Sequence, residues 1–242
     1  MALIHQLAAR ALEIADTAVA RGDPPPDLRA HLARSCAAER DDLAAAEAGA
    51  ARLVTERGAW FATLSASAAV RAALLEVQGA GREPRVLVGE GRPLLEGRAM
   101  AAALGAAGLP VWLVVDAALP LLLSQARMVW IGADAVTEQG VVNKVGSFAL
   151  ALAAREHSVP VYALAQRRKF LPAATGALRI AEMAPAEVWD EPAPGVRPRN
   201  VYFEVVPLPL VRGVVVEDAV LGVTEAATLA KERPLPAELR AG

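Results

Sequence analysis

The run Met128-Val129-Trp130-Ile131-Gly132-Ala133-Asp134, followed by Gly140-Val141-Val142-Asn143-Lys144-Val145-Gly146-Ser147, decides how this chain is read. Residues 128–131 are apolar without a break and predict a buried strand. A carboxylate follows at Asp134. An amide and an ammonium, Asn143 and Lys144, then open a helix expected over residues 145–156. The same alternation extends in both directions. Apolar runs at 60–64, 86–88, 111–115 and 159–164 are separated by helical patterns at 68–77, 94–107 and 117–126. Strands alternating with helices imply a parallel sheet covered on both faces. Further strands are expected at 201–206 and 211–216, after a proline-rich surface excursion over 184–200.

The N-terminal part reads differently. Leu3, Ile4, Leu7, Ala8, Ala11 and Ile14 follow a helical period that stops at Gly22-Asp23-Pro24-Pro25-Pro26. A second helical stretch, rich in alanine and charge, runs over 27–57 and stops at Gly58. Residues 1–57 are therefore expected to form a helical N-terminal domain, and 58–242 an α/β domain that carries the ligand site.

Composition removes several classes. The chain has 242 residues, 55% of them apolar, and a net charge of -2. Its most apolar stretch, 109–123, is interrupted by Pro110, Asp116 and Pro120 and is shorter than the roughly 20 residues a bilayer demands. His5, Arg10, Glu13 and Asp16 do not suit a signal peptide. The single cysteine, Cys36, excludes an internal disulfide and suits a reducing compartment. Three scattered histidines give no metal spacing, and mixed charge argues against a nucleic-acid face. The expectation is a soluble cytoplasmic protein with no membrane, nucleic-acid, metal or cofactor requirement.

In open parallel sheets, ligands bind beyond the carboxyl ends of the strands. Those positions hold Ser65 and Ser67 after the first strand, and Glu90, Arg92 and Arg98 after the second. Asp116 follows the third, Asp134, Asn143 and Lys144 the fourth, and Lys169 the fifth. Cations and carboxylates alternate there, as in a pocket for a phosphorylated, hydroxyl-rich molecule. Each group also has a purely structural reading. Ser65, Ser67 and Asp116 suit helix caps, Glu90 and Arg92 a surface pair, and Asp134 a turn. Lysine at a helix start is disfavoured by the helix dipole unless an anion neutralises both. The chain holds only three lysines among its 25 basic residues, and Lys144 and Lys169 fall beside these motifs.

The Gly132-Ala133-Asp134 and Gly140-to-Ser147 runs resemble the signature of one superfamily. It contains the α, β and δ subunits of translation initiation factor 2B, methylthioribose-1-phosphate isomerase and ribose-1,5-bisphosphate isomerase. Three further stretches carry the likeness: Thr63-Leu64-Ser65-Ala66-Ser67, Glu90-Gly91-Arg92-Pro93 with Gly97-Arg98, and Asn200-Val201-Tyr202-Phe203-Glu204. The resemblance implies a Rossmann-like parallel-sheet domain preceded by a small all-helical domain, assembled as a homodimer or larger homo-oligomer. In the isomerases a cysteine and the aspartate of Gly-Ala-Asp move protons, while the Asn-Lys pair and a later lysine hold substrate. By resemblance Asp134 matches the aspartate, Asn143 and Lys144 the pair, and Lys169 the later lysine. Ser65 stands at the cysteine position.

That departure bears on chemistry, because a serine hydroxyl stays protonated where a thiol ionises near pH 8.5. The Arg-Gly-Ala phosphate loop of the isomerases has no match either, since Arg21-Gly22-Asp23 runs into three prolines. The expectation is an initiation-factor-2B-like protein that binds a phosphorylated sugar or nucleotide without the cysteine chemistry. Ser67, Glu90, Arg92, Arg98, Asn143, Lys144 and Lys169 would contact the ligand. The alternatives are an aldose–ketose isomerase in which Asp134, assisted by Ser65, is the acid/base, and a purely structural assembly subunit.

Overall fold

The structure, a computed structural model, describes residues 46, 48–173 and 180–234. Apart from 46 and 48–57, the helical domain expected over 1–57 lies outside the described residues. The helix seen there ends at Ala51 rather than at residue 57, and turns lead into the sheet.

Ten strands follow: β1 (Trp60–Leu64), β2 (Arg85–Gly89), β3 (Val111–Val114), β4 (Met128–Gly132), β5 (Ala135–Val136), β6 (Gly140–Lys144), β7 (Val161–Leu164), β8 (Phe203–Pro207), β9 (Gly213–Val215) and β10 (Val220–Leu221). The helices are α1 (Ala68–Gly79), α2 (Glu96–Ala106), α3 (Ser147–Glu156) and α4 (Val223–Glu232). Seven strands form one sheet in the order β3-β2-β1-β4-β7-β9-β10, parallel except for β10 against β9. The strand order reverses between β1 and β4, and such a switch point opens a crevice beyond the strand ends.

Burial explains the layering. Alternate residues of each central strand enter opposite cores. Phe61, Val86, Val88 and Trp130 meet Val70, Leu74 and Val77 of α1 and Met100 and Leu104 of α2 on one face. Ala62, Leu87, Val129 and Ile131 meet Leu150 and Ala154 of α3 and Ala226 and Ala230 of α4 on the other. The crossover α2–β2 is tight: a methyl at Gly97 would stand 1.9 Å from Gly89 O.

A second, antiparallel sheet, β5-β6-β8, is the main departure from the expected plan. Asn143 and Lys144 end strand β6, paired with Glu204 and Phe203, and do not open a helix. Helix α3 starts at Ser147, after Gly146 turns the chain at φ 100. The partner strand lies some sixty residues downstream, beyond the reach of local periodicity. The helical pattern at 117–126 is a 3₁₀ helix, Asp116–Gln125, with Pro120 inside it. Proline removes a backbone donor and disfavours continuous α-helix. β10 and α4 lie beyond the last strand expected from the sequence.

Candidate functional site

β1 ends at Leu64, and Ser65 takes a left-handed conformation with φ 63. That bend is uncommon for a residue with a Cβ. It places Ser67 at the N-cap of α1, where its hydroxyl accepts from Val70 N at 3.4 Å. Ser67 thus fulfils the cap reading, whereas the structure gives Ser65 a buried place at the strand end with its N–H on Gly89 O.

β4 ends beside it at Gly132. A Cβ there would meet Ser67 Oγ at 2.6 Å and come within 3.7 Å of Asn143 Oδ1. The switch point therefore gathers Ser67 and Asn143 around a residue with no side chain. Asn143 donates to Ser147 Oγ at 3.0 Å, and that hydroxyl donates to Lys144 O at 2.7 Å, fixing the β6–α3 turn.

Asp134 follows immediately, its N–H bonded to Val142 O at 2.8 Å. Burial pushes its carboxyl above the ordinary value of 3.8, while Lys169 and Lys144 pull it down. Lys169 arrives from the segment after β7 and donates to Ala133 O at 2.7 Å. Asp134, Lys144 and Lys169 thus share one electrostatic environment at the carboxyl end of β4.

Successive strand residues leave on opposite faces, so Lys144 and Asn143 reach different neighbours. The Lys144 ammonium is held 2.8 Å from Glu96 Oε1 and 4.7 Å from the centre of the Tyr202 ring. Its side chain is 6% exposed, and the second Glu96 oxygen, Oε2, is buried without a partner among the described residues. Glu96 is the first residue of α2, where a carboxylate also suits the helix dipole. Neither Glu96 nor Tyr202 is among the residues picked from the sequence. Glu96 sits one position before Gly97 in a stretch read for its arginines, and Tyr202 in a stretch read as a strand.

The three remaining expected contacts are engaged otherwise. Glu90 pairs with Arg98 at 3.0 Å rather than with Arg92. The Arg92 guanidinium donates to Val188 O at 3.3 Å. Asp116 does not cap its own helix: its two oxygens accept from Gly91 N at 2.8 Å and Arg92 N at 2.7 Å, across the sheet edge. The loop had supplied two unsatisfied donors that a local reading could not see.

This fold, with polar groups gathered at the switch point, defines a Rossmann-like α/β protein. The chain belongs to the initiation factor 2 subunit family, whose model matches residues 30–223. It is 35% identical over 156 residues to a "putative translation initiation factor eIF-2B subunit 2-like" protein of Pyrococcus furiosus, covering 64% of this chain and 55% of that one. It is 36% identical over 172 residues to the methylthioribose-1-phosphate isomerase of Gemmatimonas aurantiaca, covering 69% and 50%. The ribose 1,5-bisphosphate isomerase of Methanocaldococcus jannaschii is 34% identical over 142 residues, covering 57% and 46%. The chain thus spans about half the length of the curated relatives it matches. The crystal structure of translation initiation factor eIF-2B from Pyrococcus horikoshii OT3 superposes with a TM-score of 0.77 at 26% identity, covering 91% of this chain and 76% of that one. Among the described residues no helix is long and apolar enough to cross a membrane.

Proposed function

We propose that this is an initiation-factor-2B-like protein that binds a phosphorylated sugar or nucleotide at the β1–β4 switch point, without thiol-dependent isomerase chemistry. One observation carries the reading: two of the chain's three lysines, from separate elements, act on a single half-buried carboxylate, Asp134, beside the serine-lined end of β1. The unpartnered Glu96 Oε2 refines it. An ammonium has three donors, and Lys144 gives one of them to Glu96. For a ligand hydroxyl to accept from Lys144 and donate to Glu96 Oε2 at once, the Glu96 side chain has to turn that buried oxygen toward the site. Lys144 and Glu96 together then read a sugar hydroxyl, and Lys169 is the cation for phosphate. Asp134 and Asn143 contact further hydroxyls. Ser65 occupies the strand end without the reactivity of a thiol, which favours binding over turnover.

Calorimetry and thermal shift with ribose 1,5-bisphosphate, methylthioribose 1-phosphate and nucleoside monophosphates test this. At least one should bind, and Lys169→Met should weaken it by about 1.5–3 kcal/mol, the value of a charge-assisted contact. Failure of every phosphorylated ligand to bind overturns the reading in favour of a purely structural subunit. In this reading the protein works in the cytoplasm as a homodimer or larger assembly, which light scattering checks.

The raised Asp134 carboxyl supports a second reading, an aldose–ketose isomerase, because a carboxyl lifted by burial is better matched to proton transfer near neutral pH. Turnover of either sugar phosphate, abolished in Asp134→Asn, would establish it and displace the binding-only account.

A further inference from the structure

Glu182 and Asn200 close the base of an exposed strap. Glu182 bridges Val201, and Met183 N donates to Asn200 O at 2.8 Å. Residues 182–197 of the strap are all exposed, so polar contacts hold it rather than a core. On one side Val188 O accepts from Arg92 at 3.3 Å. On the other, Glu187 Oε2 accepts from Asn200 Nδ2 at 2.7 Å and from the Tyr202 hydroxyl. The Tyr202 ring lies over the Lys144 ammonium, with 4.7 Å from nitrogen to ring centre. Tyr202 O also accepts from Val145 N at 2.8 Å, so the backbone already sets this residue beside the end of β6. The ring stands edge-on to Phe203, 6.3 Å between centres, and its hydroxyl tethers the far end to Glu187.

We infer that Glu187 is a positioning residue for Lys144: from the strap it anchors the Tyr202 hydroxyl, and the anchored ring holds the lysine against Glu96. The inference rests on the proposed function only in taking Lys144 as part of the ligand site. Two features support it beyond the contacts. Glu187 is exposed and takes no part in either large core, so its bonds to Asn200 and Tyr202 are its structural role. The hydrogen bond to Glu187 also pushes the Tyr202 phenol up to about 12, as expected of a hydroxyl that donates to a carboxylate. Donation to a carboxylate enriches the ring, and an enriched ring face attracts an ammonium more strongly.

The sequence supplies the assay. With three lysines in the chain, selective labelling at the lysine ε-carbon gives three NMR signals, assigned by substituting each lysine in turn. The Lys144 signal, under the Tyr202 ring, should be displaced upfield of Lys231 by the ring current. Glu187→Ala should move it toward the Lys231 position, Glu187→Gln, which still accepts from the hydroxyl, should restore it, and Tyr202→Phe should reproduce the alanine result. With a sugar phosphate bound, Glu187→Ala should weaken affinity by roughly 2–5-fold, the scale of one cation–π contact. An unmoved Lys144 signal in Glu187→Ala overturns the inference. If that variant does not fold, Tyr202→Phe takes its place, since it cuts the tether at the other end, and an unmoved signal there overturns the inference equally. The spectra are recorded without ligand. A moved signal with no ligand ever bound removes the proposed function and leaves the tether, whereas binding with an unmoved signal does the reverse.

Discussion

Lys144→Met, Glu96→Gln and the two together form a double-mutant cycle on the ion pair at the edge of the site. The charged atoms are 2.8 Å apart, with the lysine side chain 6% and the glutamate 34% exposed. Charge centres about 4 Å apart attract by about 4 kcal/mol at the effective dielectric of a near-surface pair. Desolvation of the lysine offsets much of this. Fully exposed pairs are worth about 0–1 kcal/mol, whereas removing one partner of a fully buried pair costs about 3–5 kcal/mol. Water reaches part of the glutamate here, so an intermediate value applies. Lys144→Met should cost about 2 kcal/mol, since it strands a carboxylate whose Oε2 already lacks a partner. In a chain of this size that lowers Tm by about 4–8 °C. Glu96→Gln keeps an acceptor for the ammonium and loses only charge, at about 1 kcal/mol. The coupling should be about 1–2 kcal/mol in urea unfolding, and largely survive about 1 M salt, because a buried lysine is poorly screened. Coupling within about 0.3 kcal/mol of zero, or its disappearance in salt, would refute the reasoning. Lys144 would then be a surface lysine, and neither a hydroxyl reader nor the object of a tether.

The raised Asp134 carboxyl predicts a stability that falls with rising pH, because the folded state binds the proton more tightly than the unfolded one. The penalty is absent below the unfolded value near 3.8, grows as pH rises through the folded value and is complete above it. Asp134→Asn should therefore raise Tm at neutral pH, with the gain vanishing toward pH 3.8; a gain constant across that window would contradict burial as the cause. Gly97→Ala should destabilise by about 3 kcal/mol or more and lower expression, because its methyl would lie 1.9 Å from Gly89 O and backbone cannot yield as a side chain can. Denaturant unfolding checks it, and a change under about 0.5 kcal/mol would show that α2 shifts freely on β2.

The centre of the main sheet was legible because β1, β2 and β4 are largely buried on both faces and read as short apolar runs, each followed by a helical period. Residues 60–64, 86–88 and 128–131 all fall within the strands found. Failures came where non-local partners decide. Asn143 and Lys144 read as the opening of a helix, but β8 pairs with them from far downstream and makes them the end of β6. Asp116 read as a cap because the loop that claims its carboxylate, at Gly91 and Arg92, is distant in sequence. The helical pattern at 117–126 had the right extent and the wrong hydrogen bonding, since periodicity does not weigh Pro120.

The site shows the same division. Residue types after each strand picked out Asp134, Asn143, Lys144 and Lys169, which the structure brings to one end of the sheet, but no spacing could reveal that Lys144 has a carboxylate of its own. That pairing alters the chemistry expected of the mouth. A lysine neutralised by Glu96 is a weak magnet for phosphate and a good reader of a group that both donates and accepts. The serine at 65 points the same way, because it fills the strand end with a hydroxyl that neither ionises nor attacks at neutral pH. Under the proposed reading, a crevice with this carboxylate and these lysines, and no thiol among the described residues, suits recognition of a sugar phosphate over its rearrangement. On that argument the two residues to compare first across ligands are Glu96 and Lys169. Glu96→Gln should weaken binding of hydroxylated ligands while strengthening that of inorganic phosphate, because it leaves the Lys144 charge unneutralised, and Lys169→Met should weaken both.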